Sequence, residues 1–325
     1  MTRAPRAMVI SFQKSGTHLM QELMLELDYR IVGVPRPAPH TVPQFDDEQL
    51  RSIAALVLSK TEYDDLLSLR GEAGGDKAFT DRAEDAWSAL VWHWYQRLGQ
   101  QVVNRYGQTR IDFAETIVSN SYLPYTRFAD TPAGLCWMFH ELDIHRVDGS
   151  FLSEWVETES PPLVLNYRDP RDAVISMINF LEGRTREGYG NFYEADIFST
   201  ILASKPTWDE KIDYALRDPS FLARDQFEKA LWLYHHPKVC NVRYEDLIGP
   251  RGGGSRRSQV EAIDRVLRHI GSNRDAEAVA DKVYNPDSWS FYKGRSGGWR
   301  ERFSERNLAR FTEQFGDLLE QYDYE

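Results

Sequence analysis

A run of apolar and small residues passes directly into a short polar turn near the start of the chain. Residues 7–12, AMVISF, have the composition of a strand buried on both faces, and residues 17–29 have the apolar spacing of a helix. Lys14, Ser15 and Gly16 lie in the turn between them. Because a strand that enters a helix this abruptly leaves backbone N–H groups unpaired at the positive end of the helix dipole, the turn is predicted to bind an anion.

The side chains of the turn favour the same interpretation. Gly16 lets an anion approach the backbone closely. Ser15 and Thr17 add hydroxyl donors, and Lys14 adds a full charge. The stretch lacks the first glycine and the spacing of a Walker loop, G-x-x-x-x-G-K-S/T, which disfavours a Walker-type kinase or ATPase. An ordinary strand–helix turn with a solvated lysine is the alternative.

A second stretch, NYRDPRDAVISMINF at residues 166–180, repeats the order strand, charged turn, helix. Arg168 ends the strand and Ser176 follows eight residues later, so both are placed to face the crevice where open α/β sheets bind ligands. The fork of donors on an arginine suits a phosphate. The alternative is that Arg168 forms a structural ion pair with Asp169 or Asp172.

The remaining apolar patterns predict the fold class. Residues 134–140 read as a further buried strand, and residues 238–247 as another that ends in an acidic turn. Residues 249–258 read as a flexible basic loop, and residues 48–106, 260–271 and the C-terminus read as helices. Strands that alternate with helices predict an α/β fold, here a single domain over residues 1–325 whose central parallel sheet is flanked by helices. One helical stripe is expected in the core: Trp87, Val91, Trp94 and Leu98.

Composition limits the class of protein. The chain of 325 residues has a net charge of −11, which argues against a general nucleic-acid binder. Cys136 and Cys240 lie in apolar runs and are predicted to be free buried thiols. No uncharged stretch approaches the ~20 residues of a membrane span. The apolar run after Arg3 and Arg6 is too short for a signal peptide. A cytoplasmic protein is therefore expected.

A third stretch is basic. Residues 290–303, SFYKGRSGGWRERF, combine four cationic side chains with three glycines. Residues 250–310 contain 13 Lys and Arg against 8 Asp and Glu, a local balance of +5 in a chain of −11. This inversion indicates a small polyanionic ligand, although a solvated charged face is the alternative.

Four blocks together resemble the cytosolic-type sulfotransferases that use PAPS, 3′-phosphoadenosine 5′-phosphosulfate. The family's Y-P-K-S-G-T loop corresponds to residues 12–17, and its Arg-Asp-Pro-Arg-Asp block to residues 168–172. Its R-K-G-x-x-G-x-W block corresponds to residues 292–299, and Tyr-Glu-Asp-Leu to residues 244–247. The blocks occur in family order. Residues of roughly 35–130 and 181–235 resemble nothing and are expected to be variable, acceptor-side segments.

The resemblance implies a P-loop-like turn that binds the phosphosulfate of PAPS, with no metal. It implies that the nucleotide is held by Lys14, Ser15, Gly16, Thr17, His18, Arg168, Ser176, Phe291, Lys293, Gly294 and Arg295. Lys14 would stabilise the leaving group. The implied reaction is sulfuryl transfer to a hydroxyl, or less favourably an amine, of a small molecule by in-line displacement.

The chain departs from the family pattern at three positions. Gln13 replaces a proline, from which a looser turn is expected, and Tyr292 replaces an arginine that grips the 3′-phosphate. Arg295, Arg251 and Arg256 are its candidate substitutes. Leu19 replaces a tryptophan that stacks on adenine, and Phe291 and Trp289 are the candidates for that role.

The family's catalytic base is a histidine at a strand end. The corresponding stretch, CWMFHELD at residues 136–143, offers His140, with Glu141 as a rival base and a structural histidine as the alternative. Two other classes stay open: a P-loop-like small-molecule kinase, and a protein that binds the nucleotide without catalysis. The acceptor and the oligomeric state are not predicted.

Overall fold

The computed structural model describes residues 4–33, 43–70, 72, 74–100, 126–183, 193–285 and 295–324. Over this part, the chain divides into two compact units. One contains Met1–Val42, Leu135–Glu141 and Pro162–Glu325, and the other contains Pro43–Gly134 and Leu142–Pro161. Among the described residues, no helix combines the length and the apolar character that crossing a bilayer requires.

The first unit is built on a parallel sheet. Its described strands are β1 (Arg6–Ser11), β2 (Arg30–Gly33), β3 (Leu135–Phe139), β4 (Leu163–Tyr167) and β5 (Val239–Arg243), in the spatial order β2-β3-β1-β4-β5. Every neighbouring pair is parallel. All residues of β3 and β4 are buried, as expected for strands covered on both faces. The predicted α/β class with a parallel central sheet flanked by helices is confirmed.

The described helices surround this sheet or form the second unit. In chain order they are α1 (Thr17–Glu26), α2 (Asp47–Val57), α3 (Lys60–Ser68), α4 (Gly75–Arg97), α5 (Gly149–Thr158), α6 (Pro170–Leu181), α7 (Tyr193–Ala203), α8 (Trp208–Arg217), α9 (Gln226–Lys229), α10 (Leu231–His235), α11 (Tyr244–Leu247), α12 (Arg256–His269), α13 (Ala276–Val283) and α14 (Glu305–Gln321). Short 3₁₀ turns lie at Phe128–Asp130, Pro250–Gly252 and Gly298–Glu301.

Two apolar clusters cover the first unit's sheet and helices. Side chains of alternate strand residues, such as Val9 and Met138, pack with those of α1, α12 and α13. A second cluster joins α6, α7, α8 and α14. The close packing of these apolar side chains fixes the positions of the strand ends. It thereby fixes the positions of the turns that follow β1 and β4.

The second unit packs α2, α3 and α4 around Leu50, Phe79 and neighbouring apolar residues. The indole of Trp94 meets Phe128 edge-on, with ring centroids 5.1 Å apart. Trp94 and Leu98 are buried, whereas Trp87 and Val91 of the same predicted stripe are only partly buried.

The structure refines three points of the predicted pattern. The strand predicted over 238–247, which was expected to end in an acidic turn, ends at Arg243, and Tyr244–Leu247 forms the helical turn α11, in which Tyr244 and Leu247 are both buried. The basic stretch predicted as a loop over 249–258 is already helical from Arg256, where the side chain of Ser255 caps α12. Strand β2 was not predicted, because four residues carry too little pattern.

Candidate active site

The two predicted turns lie at the switch point of the sheet. From β1 the chain first adds β2 and β3 on one side, and then β4 and β5 on the other. The turns after β1 and β4 therefore border the same crevice at the carboxyl edge, which is where open parallel sheets bind ligands. Met8–Ser11 of β1 pair in parallel with Leu163–Asn166 of β4, so the two turns that follow these strands lie side by side.

The backbone of the first turn is held in an uncommon conformation. Lys14 has a φ of 66° and Gly16 a φ of 83°, both in the left-handed region. The N–H of Ser15 donates to the carbonyl of Phe12 at 3.1 Å, which closes the turn. A Cβ atom on residue 16 would lie 2.3 Å from the ring of Tyr244, so only glycine fits there.

The turn presents donors at the start of α1. The first N–H groups paired inside this helix are those of Leu19 and Met20, which both donate to the carbonyl of Gly16. The N–H groups of Thr17 and His18 precede them at the N-terminus of α1, where backbone N–H groups point out of the helix. The hydroxyl of Ser15 is buried and has no hydrogen-bond partner among the described residues. This combination fits an anion bound against the turn.

A polar network supports the turn from below. The amide of Asn166 donates to the hydroxyl of Ser11 at 2.7 Å and to the carbonyl of Ser15 at 3.0 Å. The hydroxyl of Ser11 donates to that of Thr17, also at 3.0 Å. Ser11, Thr17 and Asn166 are buried, so these bonds tie the ends of β1 and β4 to the first residue of α1.

Lys14 places a cation in this crevice. Its Nζ lies 4.4 Å from the centre of the Phe180 ring on α6. Burial, and secondarily the charge of Arg168, lower the pKa of Lys14 from 10.5 to about 8. The ammonium is therefore charged at neutral pH, although burial makes the charged form cost free energy. A bound anion would offset that cost.

Arg168 connects the two turns with the third stretch. Its guanidinium lies over the Tyr244 ring, 4.5 Å from the ring centre, and its Nη1 donates to the carbonyl of Lys14 at 3.4 Å. Nη2 donates to the carbonyl of Arg295 at 2.7 Å and lies 3.4 Å from a carboxylate oxygen of Asp172. The ion pair with Asp172, foreseen as the structural alternative, is thus present.

Asp172 fixes the third stretch to α6. Its carboxylate accepts hydrogen bonds from the N–H of Gly297 at 2.6 Å and of Trp299 at 2.9 Å. Arg171, next to it, lies over the Trp299 ring at 3.9 Å and forms bidentate bonds with Asp169. The described residues 295–299 of the basic stretch are therefore held beside the turn after β4 by specific contacts.

His140 lies on the other side of the first turn. Its Nδ1 is 2.8 Å from the carbonyl oxygen of Ser11. Since a carbonyl only accepts, Nδ1 carries the hydrogen and Nε2 holds the lone pair of the neutral ring.

Burial, followed by the charges of Lys14 and His140, lowers the pKa of His18 to about 4, so His18 is neutral at pH 7.

The other predicted residues are placed as follows. Ser176 is partly buried on α6, one helical turn before Phe180 and on the same helix face. Arg295 is exposed and contributes its carbonyl, while Arg256 forms ion pairs with Glu277 and Asp281. The guanidinium of Arg251 lies 5.7 Å from the centre of the Tyr284 ring, and Leu19 packs on the core. Phe291, Lys293, Gly294, Tyr292 and Trp289 lie outside the described residues.

The cysteines and other potential ligands give no metal centre in the described part. There, no group of three or more His, Cys, Asp or Glu side chains is arranged to hold a metal ion. Cys136 is a free buried thiol, whereas Cys240 is free but only partly buried, so the prediction for Cys240 was too strong.

Several site residues were not predicted. Ser11 and Asn166 carry a usable signal, because each is a polar residue inside an otherwise apolar buried strand. Gln226, which pairs with the main chain of Gln13, lies 213 residues away along the chain and carries no local signal.

Comparisons with known proteins were made with family models, with curated proteins and with solved structures. No family model and no curated protein matches the chain. Among solved structures, it is similar to the crystal structure of mouse sulfotransferase SULT7A1 complexed with PAP. The identity is 12%, the alignment covers 97% of this chain and 84% of that chain, and the TM-score is 0.49.

Proposed function

We propose that this protein transfers the sulfuryl group of PAPS to a hydroxyl group of a small molecule. The observation that carries the proposal is the placement of Lys14: a partly buried cation in a left-handed turn at the start of α1, beside the guanidinium of Arg168. Two cations held together at a helix N-terminus favour a ligand with more than one negative group.

The donor side of the site consists of the first turn. The N-terminus of α1 and the hydroxyl of Ser15, which has no hydrogen-bond partner among the described residues, offer donors to the phosphosulfate. Lys14 adds charge where negative charge grows on the oxygen that bridges sulfur and phosphorus. Sulfuryl transfer, like phosphoryl transfer, depends on such positioning and charge stabilisation more than on covalent catalysis.

The acceptor side contains His140. Its Nε2 takes the proton of the acceptor hydroxyl while the oxygen forms a bond to sulfur. The bond from sulfur to the bridging oxygen breaks at the same time, and 3′-phosphoadenosine 5′-phosphate, PAP, departs with the electron pair. The hydrogen bond from Nδ1 to Ser11 supports this role, because it orients the ring and selects the tautomer.

The 3′-phosphate side combines Arg168 and Ser176 with Lys293 of the third stretch. The position of Arg168 beside the first turn supports this assignment. In the structure its Nη2 donates to the carbonyl of Arg295. A phosphate oxygen is a stronger acceptor than that carbonyl and would take its place.

The test is transfer of label from PAPS labelled in its sulfuryl group to a panel of phenols, alkyl alcohols and amines, with a chelator present. A parallel reaction uses γ-labelled ATP with Mg²⁺. We expect transfer from PAPS and none from ATP. Transfer from ATP alone would favour the kinase alternative, and tight binding of PAP without any transfer would favour a non-catalytic nucleotide-binding protein.

A further inference from the structure

A buried glutamine from a distant helix pairs with the main chain of the first turn. The N–H of Gln13 donates to Oε1 of Gln226 at 2.7 Å, and Nε2 of Gln226 donates to the carbonyl of Gln13 at 3.3 Å. Gln226 is 4% exposed and Gln13 is partly buried, so both bonds are partly shielded from water. The side-chain amide therefore binds residue 13 as a neighbouring strand would, through both of its backbone groups.

These bonds control the peptide plane that enters Lys14. The carbonyl of Gln13 and the N–H of Lys14 belong to one rigid plane, and Gln226 holds it by the carbonyl. The plane that leaves Lys14 is held on the other side, by Ser15 N–H to Phe12 and by Arg168 to the carbonyl of Lys14. The φ of 66° at Lys14 thus lies between two anchored planes.

A left-handed conformation at a residue with a side chain persists only where its surroundings enforce it. If the entering plane were released, Lys14 would relax toward the ordinary right-handed or extended regions, and its Cα–Cβ bond would turn with it. Its ammonium would then leave its place over the ring of Phe180.

The backbone that carries Gln226 is held in place by contacts of the next residue, Phe227. The ring of Phe227 packs edge-on against that of Phe12, with centroids 4.7 Å apart. The hydroxyl of Tyr322 donates to the carbonyl of Phe227 at 2.7 Å. Both contacts fix the backbone of α9 next to the turn, so the position of the amide is set by the core.

The same short helix also reaches the strand end that carries the proposed base. Nζ of Lys229 lies 3.5 Å from a carboxylate oxygen of Glu141, the residue after His140. Helix α9 therefore contacts both the donor-side turn and the end of β3.

We propose that Gln226 is a positioning residue that holds Lys14 in its left-handed conformation and so places its ammonium against the group being transferred. This inference rests on the proposed function for its effect on rate. Its effect on the environment of Lys14 is independent of that function.

The variants are Gln226→Met, which removes both hydrogen bonds while it keeps the side-chain volume, and Gln226→Ala. The matched control is Gln259→Met. Gln259 is equally buried at 2% exposure, and its Nε2 donates to the main-chain carbonyl of Leu247 at 3.1 Å, away from the turn. All three changes remove a buried glutamine amide that is bonded to backbone.

Two readouts are used on the full chain. One is the NMR titration of the Lys14 side chain in lysine-labelled protein, assigned by the loss of its signal in Lys14→Arg. The other is steady-state kinetics with PAPS. In both Gln226 variants we expect the pKa of Lys14 to rise from about 8 toward its ordinary 10.5. We expect kcat to fall by about 10- to 100-fold with little change in the KM for PAPS.

Gln259→Met should change neither readout, even if it lowers the melting temperature. If the wild-type protein transfers no sulfuryl group but the Lys14 titration moves only in the Gln226 variants, the proposed function fails and the positioning role stands. If the folded Gln226→Met or Gln226→Ala protein keeps the wild-type titration of Lys14, the positioning role is wrong.

Discussion

Nδ1 of His140 donates a hydrogen bond to the main-chain oxygen of Ser11 at 2.8 Å. This hydrogen bond joins the residue after β3 to the last residue of β1. The two strands pair in parallel up to Ile10 and Phe139. The hydrogen bond leaves Nε2 as the basic nitrogen of the neutral ring. The imidazole is thereby oriented at the same strand end from which the Lys14 turn begins.

The first prediction concerns this histidine. His140→Ala should lower turnover of an alkyl alcohol by about 100-fold or more, because general-base assistance is lost. The loss should be smaller for an acidic phenol, which is partly ionised without help. The affinity for PAP, measured by calorimetry, should not change.

Glu141 supplies the control for that experiment. Its carboxylate lies 3.5 Å from Nζ of Lys229, an ion pair that is compatible with a structural role. Glu141→Gln should keep most of the activity. Activity that survives in His140→Ala and disappears in Glu141→Gln would show that the base has been assigned to the wrong residue.

The second prediction concerns the turnover of Lys14→Met. If the ammonium acts on charge that develops during transfer, the variant should lose roughly 100-fold or more in kcat while PAP binding weakens much less. Lys205→Met is a suitable control, since Nζ of Lys205 also lies near an aromatic ring, 6.0 Å from the centre of Tyr214. A raised KM with an unchanged kcat would make Lys14 a binding contact only.

The third prediction concerns the pH dependence of stability. Lys14 has a pKa of 10.5 in the unfolded chain and, through burial and Arg168, about 8 in the folded protein. Below pH 8 the lysine is charged in both states, and folding carries the full cost of burying that charge. Between pH 8 and 10.5 the folded state binds fewer protons, so this contribution to the free energy of unfolding rises with pH.

Lys14→Met removes the buried charge but keeps the left-handed backbone. At pH 7, urea unfolding should therefore show it to be more stable than the wild type without nucleotide, by on the order of 1–3 kcal/mol. The advantage should shrink as the pH rises toward 10.5. Equal stability of the two proteins at pH 7 would mean that the ammonium is well solvated.

The fourth prediction concerns Gly16→Ala. The new methyl group would lie 2.3 Å from the ring of Tyr244 at a φ of 83°. We expect a loss of about 1–3 kcal/mol in unfolding free energy and a clear loss of PAP affinity. Gly149→Ala is the matched control, because a Cβ there meets nothing within 4 Å. Tolerance of alanine at both positions would show that the backbone of the turn is adaptable.

Much of the sheet and both turns were predictable from sequence, because buried parallel strands are short apolar runs and the turns carry unusual polar residues. The predicted parallel sheet includes residues 7–12 and 134–140, and β1 and β3 do pair in parallel. Ser11 and Asn166 are polar residues in otherwise apolar strands, a pattern that marks buried hydrogen-bonding positions in the sequence.

What sequence could not supply depends on tertiary contacts. The clamp of Gln226 on Gln13 joins residues that are far apart in the chain, and the left-handed conformation of Lys14 has no marker in its residue type. The roles of the candidate residues, and the cytoplasmic location, stay predictions. So do the nucleotide contacts of Phe291, Lys293 and Gly294, which lie outside the described residues.

The central claim is a site for a nucleotide with phosphates at both the 5′ and the 3′ position, and the dissociation constants of PAP and AMP test it most directly. Calorimetry on the wild-type protein should show PAP binding at least about tenfold more tightly than AMP, since AMP lacks the 3′-phosphate that Arg168 and Ser176 are proposed to bind. At a hundredfold excess over its dissociation constant, PAP should add about 2.7 kcal/mol to the unfolding free energy. Equal affinities for PAP and AMP would contradict the account.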